Sequence, residues 1–273
     1  MPCGSAPGPT RAPGPHRKHG GMTSIQHGTP PPAPSHVPGP AVLGARGLTK
    51  SYDATRALTD LSLNVHAGES VAVMGPSGGG KTTLLHCLAG IITPDTGQVL
   101  LQLDGGTTDI ARLDDRERSA LRRSTFGFVF QQGLLIPELT ALENVAVALM
   151  LLGVDRSSAE HSAAQWLAAL GLAGMEDRRV GQLSGGQAQR VAIARAQVSG
   201  ASVIFADEPT GALDSGTSAE VMDILLRSTT GTGKTLVVVT HDDDVARRCA
   251  RTVRLRDGRI VSDSLSPAAG AVA

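Results

Sequence analysis

The stretch Val71–Thr83, VAVMGPSGGGKTT, decides the fold. Val71–Met74 is an apolar run of strand length, and Gly75 ends it. Pro76, Ser77, Gly78, Gly79 and Gly80 then lead directly into Lys81 and Thr82. Thr83–Ala89 (TLLHCLA) reads as helix. Strand, glycine loop, Lys-Thr and helix, in that order, are the context of a phosphate-binding P-loop. Without a Cβ, the glycines let successive backbone N–H groups turn inward around phosphate oxygens. The helix start adds free N–H groups and the positive end of a dipole. Lys81 supplies an ammonium for the β- and γ-phosphates, and the Thr82 hydroxyl a ligand for Mg²⁺. A Gly-rich turn with a chance lysine would not bring both the motif and its flanks.

Composition bounds what surrounds this loop. The 273 residues suffice for one large domain, or for one core with a subdomain. Basic and acidic residues balance at 25 each, so no global field argues for nucleic acid. Aromatic residues make up only 2%, which predicts a core of Val, Leu, Ile and Ala. Cys3, Cys87 and Cys249 form no disulfide framework and suit a reducing cytosol. The longest apolar run, Val145–Val154, is too short to span a bilayer and predicts a core helix. The N-terminus carries no apolar signal region, so a membrane role is expected to come through a partner, without direct membrane insertion.

Outward from the loop, Val42–Tyr52 and Leu58–Val65 read as strands on its N-terminal side. Residues 1–40, dense in Pro, Gly, Ser and His, read as a disordered tail. His16, His19, His27 and His36 lie in it without regular spacing, which fits a solvated tail better than a metal site, and Met22 is an alternative start. Tyr52, the only tyrosine, reads equally as an edge-strand aromatic or as a functional one.

On the C-terminal side, Gln98–Leu103 alternates like a strand and Asp114–Arg123 reads as a charged helix. Phe126–Phe130 is a strand, with Gln131 placed where it emerges. Ala141–Leu152 and Ser158–Leu170 are helical and follow one another without a strand, which predicts an α-helical insert in an α/β domain. Leu183-Ser184-Gly185-Gly186-Gln187 opens a further helix to Gln197, with Ser184 as its N-cap. That turn suits either an anion or an ordinary cap. Val203–Ala206 is a buried strand ending in Asp207 and Glu208. Two acids there are costly unless they hold a cation or do chemistry. Beside a P-loop, Asp207 would hold Mg²⁺ opposite Thr82, and Glu208 would take the proton of an attacking water. Ser215–Arg227 is helix, Thr235–Thr240 a strand ended by His241, and Asp242–Cys249 helix. Thr252–Leu255 and Arg259–Asp263 form a hairpin around Asp257-Gly258, before a short flexible tail at 264–273. Gly231–Thr235 (GTGKT) resembles a second P-loop, but it precedes a strand and its first glycine position is Ser228. It is read as a surface turn.

Taken together, these parts resemble the ATP-binding subunit of ATP-binding cassette (ABC) transporters, from about Val42 to Val261. The most specific stretch is LSGGQAQRVAIARA (Leu183–Ala196), similar to the family signature, followed by VIFADEPTGALD (Val203–Asp214). The resemblance implies a parallel-sheet P-loop NTPase core with an antiparallel β subdomain, spanning residues 41–263, and a helical insert at about 132–198. It implies ATP and Mg²⁺ as cofactors, bound by Gly75–Thr83. It further implies that Tyr52 stacks on adenine, that Gln131 senses Mg²⁺ and the γ-phosphate, and that His241 is the switch histidine. Ser184, Gly185, Gly186 and Gln187 would bind the γ-phosphate of ATP held by another subunit, and Asp214 would link the two sites. Lys81, Gln131, Glu208 and His241 are the expected catalytic set, and Thr82, Gln131 and Asp207 the metal set. The implied partners are a transmembrane permease and a second copy or paralogous cassette, with no nucleic acid, on the inner face of the cell membrane. Gly79 and Thr82 replace the commoner serines, and Ala188 a frequent glutamine. Phe126–Val145 is most similar to the lipoprotein-release and macrolide-export subgroup, although Gln132 departs from the aromatic expected there. A cell-division-type signalling ATPase, which moves no solute, would carry the same site residues.

Overall fold

The computed structural model describes residues 40–103 and 105–265. All but Pro40 of the expected N-terminal tail, including its four histidines, Met22 and Cys3, and all but two residues of the expected C-terminal tail, lie outside the described residues.

Two sheets carry the architecture. The first is a four-stranded antiparallel sheet in the order β2-β1-β4-β5. Its strands are β1 (Ala41–Tyr52), β2 (Thr55–His66), β4 (Thr96–Leu103) and β5 (Gly106–Asp109). Only the short β5 has no counterpart in the sequence reading. Its Thr107-Thr108-Asp109 looks like turn chemistry until it pairs with Leu100–Gln102. The second sheet has six strands in the order β10-β9-β3-β8-β7-β6. These are β3 (Ser70–Met74), β6 (Phe126–Phe130), β7 (Val203–Asp207), β8 (Thr235–Thr240), β9 (Arg251–Arg256) and β10 (Arg259–Asp263). All neighbours in it are parallel except β10, which pairs antiparallel to β9 around Asp257-Gly258.

Residues of β3, β7 and β8 are buried on both faces, as the unbroken apolar runs require of a covered parallel sheet. The strand period of two divides them between two cores. Val203, Phe205, Val237 and Val239 face the antiparallel sheet and the P-loop helix α1 (Lys81–Leu88). Ile204, Ala206, Leu236 and Val238 face the helical side. That side comprises α3 (Ala141–Met150), α4 (Arg156–Ala169), α5 (Gly185–Gln197) and α6 (Ser215–Ser228). The charged α2 (Asp115–Ser124) precedes β6, and α7 (Asp243–Arg248) precedes β9. Arg251, only 5% exposed, ties the sheets together. Its guanidinium donates to Asp263 Oδ2 at 2.6 Å, to Asn64 O at 2.7 Å and to Glu69 Oε1 at 3.2 Å. A buried cation of this kind is tolerated because every bond is to an oxygen acceptor.

Helix starts follow local chemistry. Asp114/Glu117, Thr140/Glu143 and Ser184/Gln187 form reciprocal capping boxes at α2, α3 and α5. Asp155, Asp214 and Asp242 cap α4, α6 and α7. Each such cap is worth about 1 kcal/mol. Among the α-helices of the described residues, only α1 begins with no side-chain cap and no acidic residue in its first turn.

Two expectations need correction. The aliphatic core has one aromatic seam, because the four phenylalanines are gathered in one place. Phe126 meets Phe205 edge-to-face at 5.3 Å, and Phe128 stacks on Phe205 at 5.7 Å and on Phe130 at 5.9 Å. The run Val145–Val154 is not a core helix throughout. Val145 and Ala146 are buried, but α3 ends at Met150, and Met150, Leu151 and Leu152 are exposed where the chain turns away. Among the described residues, no helix is long and apolar enough to cross a membrane.

Candidate functional site

The loop after β3 takes its shape from backbone contacts that only glycine allows. Gly75 has φ 150°, and a Cβ there would lie 2.2 Å from Leu255 O. Gly80, the N-cap of α1, has φ 94°, and a Cβ there would lie 2.2 Å from Ala57 O. The loop is therefore pressed between the β9–β10 hairpin and β2, and no larger residue fits at either end. Lys81 folds back into it. Its Nζ donates to Gly75 O at 2.9 Å and to Pro76 O at 3.0 Å, and the residue is 8% exposed. Among the described residues no carboxylate forms an ion pair with it, although its charge acts on Asp207, and the uncapped start of α1 lies beside it. An ammonium and free helix N–H groups side by side suit a polyanion. A cleft lined by Tyr52, Ala57 and Gly78–Thr83 opens over this loop.

Three strand ends converge beside it. Thr82 Oγ1, on α1, lies 3.5 Å from Asp207 Oδ1 at the end of β7. Burial pushes the Asp207 carboxyl above its ordinary range, and the neighbouring Glu208 adds to this, while the Thr82 hydrogen bond and His86 oppose it. A carboxylate that resists ionisation where a hydroxyl already faces it has the oxygen donor set of a hard divalent cation, whose charge would relieve the desolvation. The residues present thus fit Mg²⁺. Glu208 follows with φ 48°, a left-handed conformation that costs a non-glycine residue about 1 kcal/mol or more. Its amide donates to Val239 O at 2.9 Å, and its Oε1 lies 2.8 Å from His241 Nδ1. Thr240 Oγ1 donates to Glu208 Oε2 at 3.4 Å and accepts from Asp242 N at 3.0 Å. The strained backbone thus aims the carboxylate across the end of β8.

Gln131 directly follows β6, at the point where the sequence has the strand emerge. Its amide head lies over the loop after Glu208, where a Cβ on Gly211 would approach Gln131 Nε2 to 2.8 Å. Ser184 caps α5, accepting from Gln187 N at 3.2 Å, while Gln187 Oε1 accepts from Ser184 N at 2.9 Å. Ser184 and Gly185 are exposed, but Gly186 is buried, where a Cβ would lie 2.5 Å from Thr217 Cγ2. Asp214 caps α6, accepting from Thr217 N at 3.0 Å and Thr217 Oγ1 at 2.7 Å. These bonds hold its carboxyl below the ordinary range.

The structure therefore brings together Lys81, Thr82, Asp207, Glu208 and His241, with Tyr52 at the cleft and Gln131 on the adjoining loop. Among the described residues, no hydrogen bond joins Leu183–Gln187 or Asp214 to that group. Sequence reading missed the residues that hold the Gln131 loop. Gln189 Nε2 donates to Phe130 O at 2.9 Å, and Arg195 donates to Gly133 O at 2.6 Å and to Leu134 O at 2.9 Å. Both lie on α5, and both are anonymous polar letters within the quoted signature. Their acceptors are backbone carbonyls some sixty positions upstream, which no spacing rule reaches.

The ABC transporter family model matches residues 58–211. A relative from Paracoccus denitrificans, macrolide export ATP-binding/permease protein MacB 1/2, is 47% identical over 82% of this chain and 34% of its own length. The probable syringafactin export ATP-binding/permease protein SyfD of Pseudomonas syringae pv. syringae is 42% identical over 83% and 34%. This chain spans about a third of the length of these curated relatives. Among solved structures, the dimeric post-hydrolysis state of the ATP-binding cassette MJ0796, bound to ADP and Pi, is similar at TM-score 0.73. It is 40% identical and matched over 81% of this chain and 97% of that one.

Proposed function

This chain belongs to the ABC transporter family, and from that premise we propose that it is an ATP-hydrolysing cassette that drives a membrane permease, of export or lipoprotein-release type. The observation that carries the reading is the line of contacts Thr82–Asp207–Glu208–His241 beside an uncapped, lysine-bearing helix start. Gly75–Thr83 hold the triphosphate, with the Lys81 ammonium exchanging two carbonyl acceptors for phosphate oxygens. Thr82, Asp207 and Gln131 would hold Mg²⁺, which neutralises charge on the phosphates when bound. Glu208 takes the proton of the attacking water, and His241 orients its carboxylate. Tyr52 stacks on the adenine.

The site is half of a whole. Ser184, Gly185, Gly186 and Gln187 stand apart from the chain's own loop, which supports their binding the γ-phosphate of ATP held by a second cassette, with Asp214 linking the two sites. Exposed Leu134 and Ile136 on the Gln131 loop, and Met150, Leu151 and Leu152 at the end of α3, support a face covered by the permease at the inner side of the membrane. The α5 side chains that grip the Gln131 loop would make loop and helical insert move together as the dimer closes. Glu208→Gln tests the reading. Phosphate release should fall by about 10²–10⁴-fold, while ATP binding persists and ATP-dependent dimers accumulate in light scattering. Ordinary turnover in that variant would remove Glu208 as the base.

A further inference from the structure

Tyr52 is 45% exposed, at the last position of β1 before the two-residue turn Asp53-Ala54. A side chain so placed has little packing to fix it, yet its surroundings are ordered by charge. Two positions earlier on the same strand, Lys50 sets its Nζ over the ring, 5.7 Å from the centroid. Lys50 is itself held, because its Nζ donates to Asp95 Oδ1 at 2.8 Å. The other Asp95 oxygen accepts from Ser51 N at 2.7 Å, and Asp95 N donates to Thr49 O at 2.8 Å. Asp95, in the turn before β4, thus grips Thr49, Lys50 and Ser51, the three residues ahead of Tyr52. The Lys50 bond first, and the Ser51 amide second, hold the Asp95 carboxyl below its ordinary range. The same bond holds the Lys50 ammonium above its own. Both groups are therefore charged at neutral pH. Lys50 is not among the residues that line the nucleotide cleft, whereas Tyr52 is.

We propose that Lys50 and Asp95 are positioning residues for Tyr52, holding its ring with one face against the ammonium and the other presented to the adenine base. The inference rests on the reading of Tyr52 as the adenine-stacking residue. A ring ordered before binding loses less freedom when the base arrives. The cation also draws π density to its own side, leaving the far face better matched to a second π system. Neither residue need touch phosphate, so the effect is confined to recognition of the base.

Four measurements test this. Lys50→Met should raise the ATP Kd and KM about threefold to tenfold, leave kcat at saturating ATP unchanged, and be rescued by Lys50→Arg. Asp95→Asn should shift Kd in the same direction by less. Binding of inorganic tripolyphosphate, which has no base, should not change. In a Tyr52→Ala background, Lys50→Met should add nothing. Equal loss in that background, or for tripolyphosphate, would show that Lys50 acts on the phosphates and would overturn the proposal. If Tyr52→Ala weakens ATP binding and Lys50→Met does not, the proposal alone fails. If Tyr52→Ala is itself without effect, the adenine reading fails and takes the proposal with it.

Discussion

Gly78–Thr83 (GGGKTT) and Gly231–Leu236 (GTGKTL) are nearly the same string of residues in two different structural sentences. The first runs from strand β3 into helix α1, and its lysine closes over the loop it belongs to. The second runs from helix α6 through a 3₁₀ turn at Thr230–Thr232 into strand β8. There Lys234 donates to Gln197 Oε1 at 2.7 Å and lies 5.4 Å from the Trp166 ring centroid. The threonines diverge likewise. Thr82 faces Asp207, whereas Thr235 accepts from Gly68 N at 3.0 Å and so fastens the turn that leads into β3. In a P-loop the helix start adds its free N–H groups to those of the glycines, and a strand start offers none. The second segment therefore spends the same side chains on packing.

Substitutions can break or sharpen this contrast. The largest expected effect is at Lys81. Lys81→Met should lower ATP hydrolysis at least about 100-fold in a phosphate-release assay, with the circular dichroism spectrum unchanged. A Lys234→Met variant with comparable loss of turnover would erase the distinction. Next come the glycines. Gly80→Ala should cost about 3 kcal/mol in urea unfolding, combining positive φ with a clash against Ala57 O. Gly233→Ala, with φ 80° but open space around its Cβ, should cost only about 1 kcal/mol. Equal costs would mean that the first loop is not pressed as tightly as its contacts indicate.

The threonines should separate by kind more than by size. Thr82→Val should weaken the apparent Mg²⁺ affinity in the ATPase assay about tenfold and leave the urea midpoint unchanged. Thr235→Val should leave Mg²⁺ dependence alone and cost about 1–2 kcal/mol, because the half-buried Gly68 amide loses its acceptor on the buried Thr235. The smallest effect is Lys234→Met itself. Turnover should hold, while loss of one hydrogen bond and one cation–π contact costs about 1 kcal/mol, read as a melting point lower by about 2–4 °C.

The same contrast explains which residues were legible in advance. Both segments were sorted by their flanks and by the motif's first glycine, which is Gly75 in one and Ser228 in the other, since these features are local and the chain order states them. The Ser184 cap was equally readable; the Asp114/Glu117 and Thr140/Glu143 boxes, which the structure adds, share its spacing of three and need no distant partner. The aromatic seam was not, since nothing in the text of β6 says that Phe205 of β7 will lie against it. The exposure of Met150–Leu152 was not either, because an apolar run records composition but not where its helix stops.

What the sequence determined by itself about this protein is the P-loop, the alternation of elements around it, and the residue types at each strand end. Those follow from backbone sterics and periodicities of two and 3.6 residues, which act over a few positions. Only the tertiary structure decided which of them meet. The order β9-β3-β8-β7-β6 places Thr82, Asp207, Glu208 and His241 side by side, although they come from three separate stretches of chain. Tertiary packing also placed Gln189 and Arg195 on the Gln131 loop, and Asp95 against Thr49, Lys50 and Ser51 ahead of Tyr52. Contacts of that range depend on strand order and on the packing of whole elements, and the free energy that selects them comes from burying two cores at once.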